Sequence, residues 1–362
     1  MIHTDFRSLL RVWFWAFYVV APLGTIWAQS TPKFSNEFLN IGVSARAMGM
    51  GNAQSAIADD ATAGYWNPAN LVRIQDQYSI SLMHAEYFAG IAQYDYAGFA
   101  TPIDENSALG ISLIRFGVDD IPDTRFLYDA NGQLNYNNIR FFSAADYAFL
   151  ISYARKIPKV KGLSVGTNLK IVYRNVGDFA NAWGFGLDAG AQYVRNGWRL
   201  GLMVRDITTT FNMWTHNTAL LFDIFAQTGN IIPQNSIEIT LPKAIIGIGH
   251  QFEIKEKFQL IAALDAVMTF DGQRNVAFGS RVVSLDPHLG IEMNYAQRVY
   301  LRGGVFNFQT IKDFDGSTYR TFQPNFGVGI RLGRFGIDYA LTDVGNVSDA
   351  LYSHVFSVKV GF

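Results

Sequence analysis

The chain has 362 residues, 49% of them apolar and only 16% charged, with a formal net charge of -1 and no cysteine. Thiolate catalysis, cysteine zinc sites and disulfides are therefore excluded, and a near-neutral chain without a concentrated basic run gives no electrostatic case for nucleic acid. The 33 glycines, 29 phenylalanines, 17 tyrosines and 7 tryptophans suit many strands with close turns better than a helical enzyme.

The first segment reads as a targeting signal, residues 1–28. Arg7 and Arg11 precede the apolar run Val12–Val20, and Ile26-Trp27-Ala28 supplies a cleavage sequence. The competing reading is a retained transmembrane helix, because the run is aromatic-rich and Ile26 is not small. Beyond Ala28 there is no uninterrupted apolar run of helix length, so a mature chain that spans a membrane must use strands.

Residues 29–76 crowd small side chains together and are expected to form a plug packed in a barrel mouth. Arg46 is placed to pair with Asp59 or Asp60; the alternative is an exposed arginine in a loose linker. Met48, Gly49, Met50 and Gly51 offer close backbone approach and adaptable apolar filling. They do not form a phosphate loop, since no Lys-Ser or Lys-Thr follows. Asp59 and Asp60 read as a helix cap with structural ion pairing, because adjacency gives a calcium or acid/base pair no defined separation. Trp66 is expected to fill a hydrophobic recess and Asn67 to satisfy local backbone groups, with Pro68 ending a short helical turn.

From residue 77 the dominant period is two. In Leu163–Ile171 one face carries Leu163, Val165, Leu169 and Ile171, the other Ser164, Gly166, Asn168 and Lys170, so the two faces meet different solvents. Such runs number about fourteen, and most match the roughly 9–11 residues of a tilted spanning strand. Tight links at Arg195-Asn196-Gly197, Gln297-Arg298 and Gly333-Arg334 alternate with long ones around 118–144, 208–242, 270–285 and 309–321. Short links read as periplasmic and long ones as external. The expected fold is all-β, a fourteen-stranded antiparallel transmembrane β-barrel over 77–362 with an N-terminal plug segment.

Within the long links, Val118–Asp123 is acidic and reads as a solvated loop. The stretch from Phe211 and Trp214 to Leu221, Phe222 and Phe225 is unusually apolar for a loop, and is a candidate partner-binding lid or interfacial helix, the alternative being a segment that simply folds over the rim. The six histidines form no convincing metal centre: His250 with Glu253, and His84 with Glu86, read as satisfied polar or lumen residues. No serine has a nucleophile-elbow context. Tyr193, Trp198, Tyr295 and Tyr300 flank short turns and are candidates for the periplasmic aromatic girdle. The last strand places Phe356, Val358, Val360 and Phe362 on one face, a pattern suited to membrane insertion and similar to the end by which bacterial barrels are recognised by the barrel assembly machinery.

The segment Ile41–Gly51, continued by Ala58-Asp59-Asp60 and Trp66–Leu71, resembles the N-terminal signature of the PorV/PorQ family. That family includes type IX secretion proteins and is related in architecture to FadL-type transporters of hydrophobic compounds. The resemblance implies a non-enzymatic outer-membrane component of type IX secretion without a cofactor. It would act by non-covalent binding, as an escort for a secreted cargo protein or as an accessory of the large translocon barrel. The chain departs from the family in its modest outer loops. The alternative is a FadL-like transporter that binds a hydrophobic small molecule. An apolar cavity running from the outer rim past Met48 would favour transport; a blocked lumen with an exposed apolar loop would favour protein association.

Overall fold

The computed structural model describes residues 34–128, 131–342 and 353–362, so the expected signal segment lies outside the described residues. Fourteen antiparallel strands form the wall. The first seven are β1 Ser79–Tyr87, β2 Ala92–Pro102, β3 Ser107–Asp123, β4 Arg140–Lys156, β5 Leu163–Val176, β6 Ala180–Arg195 and β7, which runs as Trp198–Arg205 and Thr210–His216. After an outer helix α3, Thr218–Thr228, come β8, as Ser236–Thr240 and Lys243–Lys255, then β9 Phe258–Thr269, β10 Ser284–Tyr295 and β11 Val299–Lys312. The last are β12 Thr318–Leu332, β13 Phe335–Thr342 and β14 Ser353–Gly361.

β1 pairs with β14 from Ser79 with Gly361 to Glu86 with His354, which joins the first strand to the last and closes the sheet. Closure is what a lipid-facing sheet requires, since each unpaired peptide group in hydrocarbon costs several kcal/mol. The alternation then runs opposite to that of a soluble protein. In β5, Ser164, Asn168 and Lys170 are buried on the inside, whereas Val165 and Leu169 stand 40% and 44% exposed on the outside. The protein is a multi-pass barrel of the bacterial outer membrane. Among the described residues no helix is long and apolar enough to cross a membrane, which bears on helices alone.

The break in β7 has a local cause. Asp206 and Thr209 both take positive φ, 55° and 59°. Asp206 is held there by Lys170 and by the Thr210 hydroxyl, which donates to it at 2.5 Å. Beyond the break, Phe211–Trp214 continues the wall beside β6, so the apolar stretch expected as a loop is strand up to His216. Val118–Asp123 is likewise wall, bulged between Val118 and Ile121 where β3 pairs with β4. Two outer links are as tight as the inner ones, at Phe88–Ile91 and at 177–179.

Residues 34–74 fill the lumen and carry short helices: 3-10 turns at Glu37–Asn40 and Pro68–Arg73, with α1 Ala45–Gly49 and α2 Ala63–Trp66 between them. Val43, Ala45, Met50, Ala63 and Leu71 are wholly buried there. Glycines of the segment itself, some of them facing glycines of the wall, let the two approach closely. A Cβ on Gly49 would lie 2.9 Å from the Gly327 Cα, and one on Gly51, whose φ is +59°, would lie 2.8 Å from the Leu289 carbonyl oxygen.

Candidate functional site

A circuit of charges ties the inner segment to the wall. Arg46 donates to Asp59 at 2.6 Å and, through two atoms, to Glu292 at 2.9 Å. Arg302 bridges Glu292 and Asp338 at 2.6 and 2.7 Å, and Lys359 connects Asp338 to Asp60. Asp60 thus pairs with Lys359, whereas Arg46 takes Asp59. Asp60 Oδ1 also accepts from the Thr62 amide at 2.9 Å, ahead of the N-terminus of α2. Asp265 clamps the same segment by accepting from the Gln54 and Ser55 amides, at 3.0 and 2.8 Å, and from the Ser55 hydroxyl.

The other inner residues fill and cap. Trp66 is buried, its indole donating to the Val43 carbonyl at 3.1 Å. Asn67 accepts from the Ala69 amide at 3.1 Å and donates to the carbonyls of Ser55 and Ala191, while Pro68 opens the 3-10 turn. Met48 is buried against the Tyr87 hydroxyl.

Above this segment, in the outer half of the lumen, lies a chamber of about 490 Å³. Its apolar wall includes Phe34, Ile41, Trp66, Ile245, Val267 and Phe306. Its charged side chains are mostly engaged. The Arg205 guanidinium sits 4.2 Å over the Tyr65 ring and donates to the carbonyls of Leu39 and Tyr65 at 2.9 and 3.0 Å. Arg274 binds Glu37 and Asp271 at 2.8 and 2.5 Å, and Lys243 donates to Asn40. A guest can therefore cover apolar wall without breaking those ion pairs. The chamber stops at the inner segment and Met48 is not on its surface, so the cavity running past Met48 that was expected of a transporter is not present among the described residues.

The chamber abuts a defect in the wall. β10 and β11 pair only from Leu289 with Val305 down to Tyr295 with Val299. Above that point Ser284–His288 and Phe306–Lys312 share no ladder. They are linked by the His288 and Phe306 rings, with centroids 5.1 Å apart, by the Phe308 amide, which donates to Asp286 at 3.4 Å, and by the preceding loop, whose Phe278 and Gly279 pair with Leu285 and Ser284 and whose Asn275 exchanges two bonds with Thr310 at 2.9 and 3.0 Å. Asp286, His288, Phe306 and Gln309 line both the gap and the chamber. Period-two reasoning missed these residues; the signal was the loop at 270–283, whose Phe278 and Gly279 pair with the upper end of β10 in place of β11.

The remaining candidates scatter. Phe211 faces outward on β7, Trp214 is half-buried and donates to Glu238 at 2.8 Å, and Leu221, Phe222 and Phe225 lie on α3 with Phe222 exposed. Phe356, Val358 and Phe362 face outward beside the half-buried Val360. His84 also faces outward, 2.7 Å from Asp95, and His250 packs outward on Trp198 with ring centroids 4.3 Å apart; neither is a lumen residue. Trp198 and Tyr295 lie on the outer face, whereas Tyr300 turns inward over Arg302. Among the described residues no group of three or more acidic, histidine or cysteine side chains is arranged to hold a metal ion.

No protein-family model matches the sequence, and no curated protein matches it. Solved structures do. The Ralstonia pickettii toluene transporter TbuX aligns with 89% of this chain and 98% of its own at 16% identity and a TM-score of 0.53. The CymD monoaromatic hydrocarbon channel covers 91% and 99% at 16% identity and a TM-score of 0.56. The Pseudomonas putida toluene transporter TodX covers 89% and 98% at 12% identity and a TM-score of 0.54. At identities this low, the superpositions show a shared barrel architecture. They also overturn the expected PorV/PorQ membership. The structures that match are hydrocarbon channels and transporters, so the type IX secretion role falls, together with its translocon and cargo partners. The small-residue pattern of 41–71 follows from packing a segment inside a barrel, and does not single out a secretion family.

Proposed function

We propose that this barrel is a non-enzymatic channel for hydrophobic small molecules of the monoaromatic hydrocarbon class, toluene being the reference compound. A molecule reaches the chamber from the long-loop face, rests against Phe34, Trp66, Val267 and Phe306, and leaves sideways through the gap between β10 and β11. The carrying observation is the adjacency of an apolar chamber of about 490 Å³ to unpaired wall at Asp286 and Phe308. A pocket of that size suits a small guest, and a sideways exit delivers an apolar solute to the bilayer without crossing the charge circuit below. Architecture shared with toluene transporters supports the same reading.

The test is initial uptake of labelled toluene at low micromolar concentration by intact cells of a host without hydrocarbon transporters. Expression of the chain should raise the rate several-fold over an empty vector at equal outer-membrane integrity. An unchanged rate, with the barrel present and folded in the outer membrane, refutes the proposal.

A further inference from the structure

At the short-link end of the lumen, which faces the periplasm under the usual orientation of such barrels, lies a second cavity of about 420 Å³. Seven basic side chains line it against four carboxylates. The buried carboxylates are already committed. Glu292 lies between Arg46 and Arg302 at 2.9 and 2.6 Å, Asp60 binds Lys359, and Asp59 Oδ1 accepts from Arg46 at 2.6 Å. Arg199 is left with Asp59 Oδ2 at 3.9 Å and with neutral acceptors, Gln251 Oε1 at 3.1 Å and the Ile57 carbonyl at 3.5 Å.

The side chain of Arg73, the last residue of the 3-10 turn Pro68–Arg73, has neither an ion pair nor a hydrogen bond among the described residues, and its Nη1 is buried. A half-buried guanidinium with no carboxylate in contact, sharing the field of Asp59 with a second guanidinium, is costly. Burial, and then the neighbouring Arg199 charge, push Arg73 down to about 10 against the opposing pull of Asp59. Nothing in the charge circuit requires this arrangement, because Arg46, Arg302 and Lys359 already serve the carboxylates.

We propose that Arg73 and Arg199 form an oxyanion site at the periplasmic mouth, for a phosphate-type anion held between two guanidinium groups. Planar guanidinium forks match the oxygens of a phosphate and give charge-assisted bonds that neutral acceptors do not. Arg331 and Arg334, on the rim of the same cavity and without a carboxylate partner among the described residues, extend the positive field toward the periplasm. Arg73 also lines a neighbouring groove of about 470 Å³ with Lys156 and Lys161, which offers an approach from the inner rim. The phosphate oxygens can come from a free anion or from a lipid headgroup of the periplasmic leaflet.

Calorimetric titration of the intact barrel in detergent with inorganic phosphate at low ionic strength tests the site. Saturable binding of one phosphate per chain is expected, weakened at least tenfold in R73Q and in R199Q. Absence of saturable binding to the wild-type barrel overturns the proposal, as does wild-type affinity in a folded R73Q; the wild-type titration decides alone if both variants fail to fold. Native mass spectrometry from phosphatidylglycerol nanodiscs separates the sources. Lipid retained by wild type and lost in R73Q assigns a headgroup, whereas phosphate binding without retained lipid assigns a free anion.

Discussion

Arg46 meets Glu292 through two parallel bonds, Nε to Oε2 and Nη2 to Oε1, both 2.9 Å, and so joins residues 246 positions apart. Paired guanidinium and carboxylate groups in this geometry are strong as well as specific. With Asp59, Arg302, Asp338, Lys359 and Asp60 they fasten the inner segment to β10, β11, β13 and β14.

Removing one member leaves its partners buried and uncompensated. Arg46→Met should therefore destabilise the docked state by roughly 3–5 kcal/mol, the usual cost of breaking a buried pair from one side. The measurement is the temperature at which the compact, heat-modifiable form is lost on gels. A marked drop is expected; an unchanged temperature would show that the circuit contributes little.

The same circuit sets a pH dependence. Burial alone would raise the Asp59 and Asp60 carboxyls, but Arg46 for Asp59 and Lys359 for Asp60 outweigh it, and both lie below the usual carboxylate range. A depressed folded-state value stabilises docking above the unfolded value of about 4 and loses that contribution as the pH falls through the folded value. Residues 34–76 should stay protected from limited proteolysis between about pH 5 and 7 and become accessible progressively below about pH 4. Protection independent of pH, or lost already near neutrality, would contradict this.

Close backbone approach makes a third prediction. A Cβ on Gly304 would collide with the Gly51 amide and Met50, whereas at Gly303 the nearest atom is the Ile291 Cγ1, 3.9 Å away. Gly304→Val should cost about 1–3 kcal/mol through overpacking and lower the yield of folded barrel in outer membranes. Gly303→Ala should leave the yield unchanged. Equal yields would mean that the inner segment is not packed this closely during assembly.

A charge placed on the chamber wall should block a guest without unfolding the barrel. Val267 lines the chamber and is half-buried, and Val267→Arg puts a guanidinium among apolar side chains. Uptake of a hydrocarbon probe should fall at least tenfold while the heat-modifiable form persists. Undiminished uptake would move the route away from this chamber.

Much of the wall was legible because its period of two reports two solvents. Leu163–Ile171 alternates so clearly since lipid lies on one side and polar lumen on the other. Phe211–Trp214 was harder to place, because the positive-φ break at Asp206–Thr209 interrupts the pattern just before it. The partners of Arg46 were legible only in part: Asp59 is 13 positions away, but Glu292 is 246 away, and no local periodicity encodes that contact. The glycines read as permitting close strands, yet Gly304 and Gly327 are where the inner segment rests on the wall. The gap beside β10 left no trace in the alternation, since Ser284–His288 keeps strand geometry through β9 while losing β11.

The most direct test locks that gap. The chain has no cysteine, so His288→Cys with Phe306→Cys introduces a single pair across the first rung beyond Leu289 and Val305, where the two rings now meet with centroids 5.1 Å apart on the same luminal face. In intact cells the reduced double variant should take up a hydrocarbon probe at nearly the wild-type rate, the oxidised form should fall to the empty-vector rate, and reductant should restore uptake. Equal uptake by the oxidised and reduced forms, with the disulfide verified, would contradict a sideways route between β10 and β11.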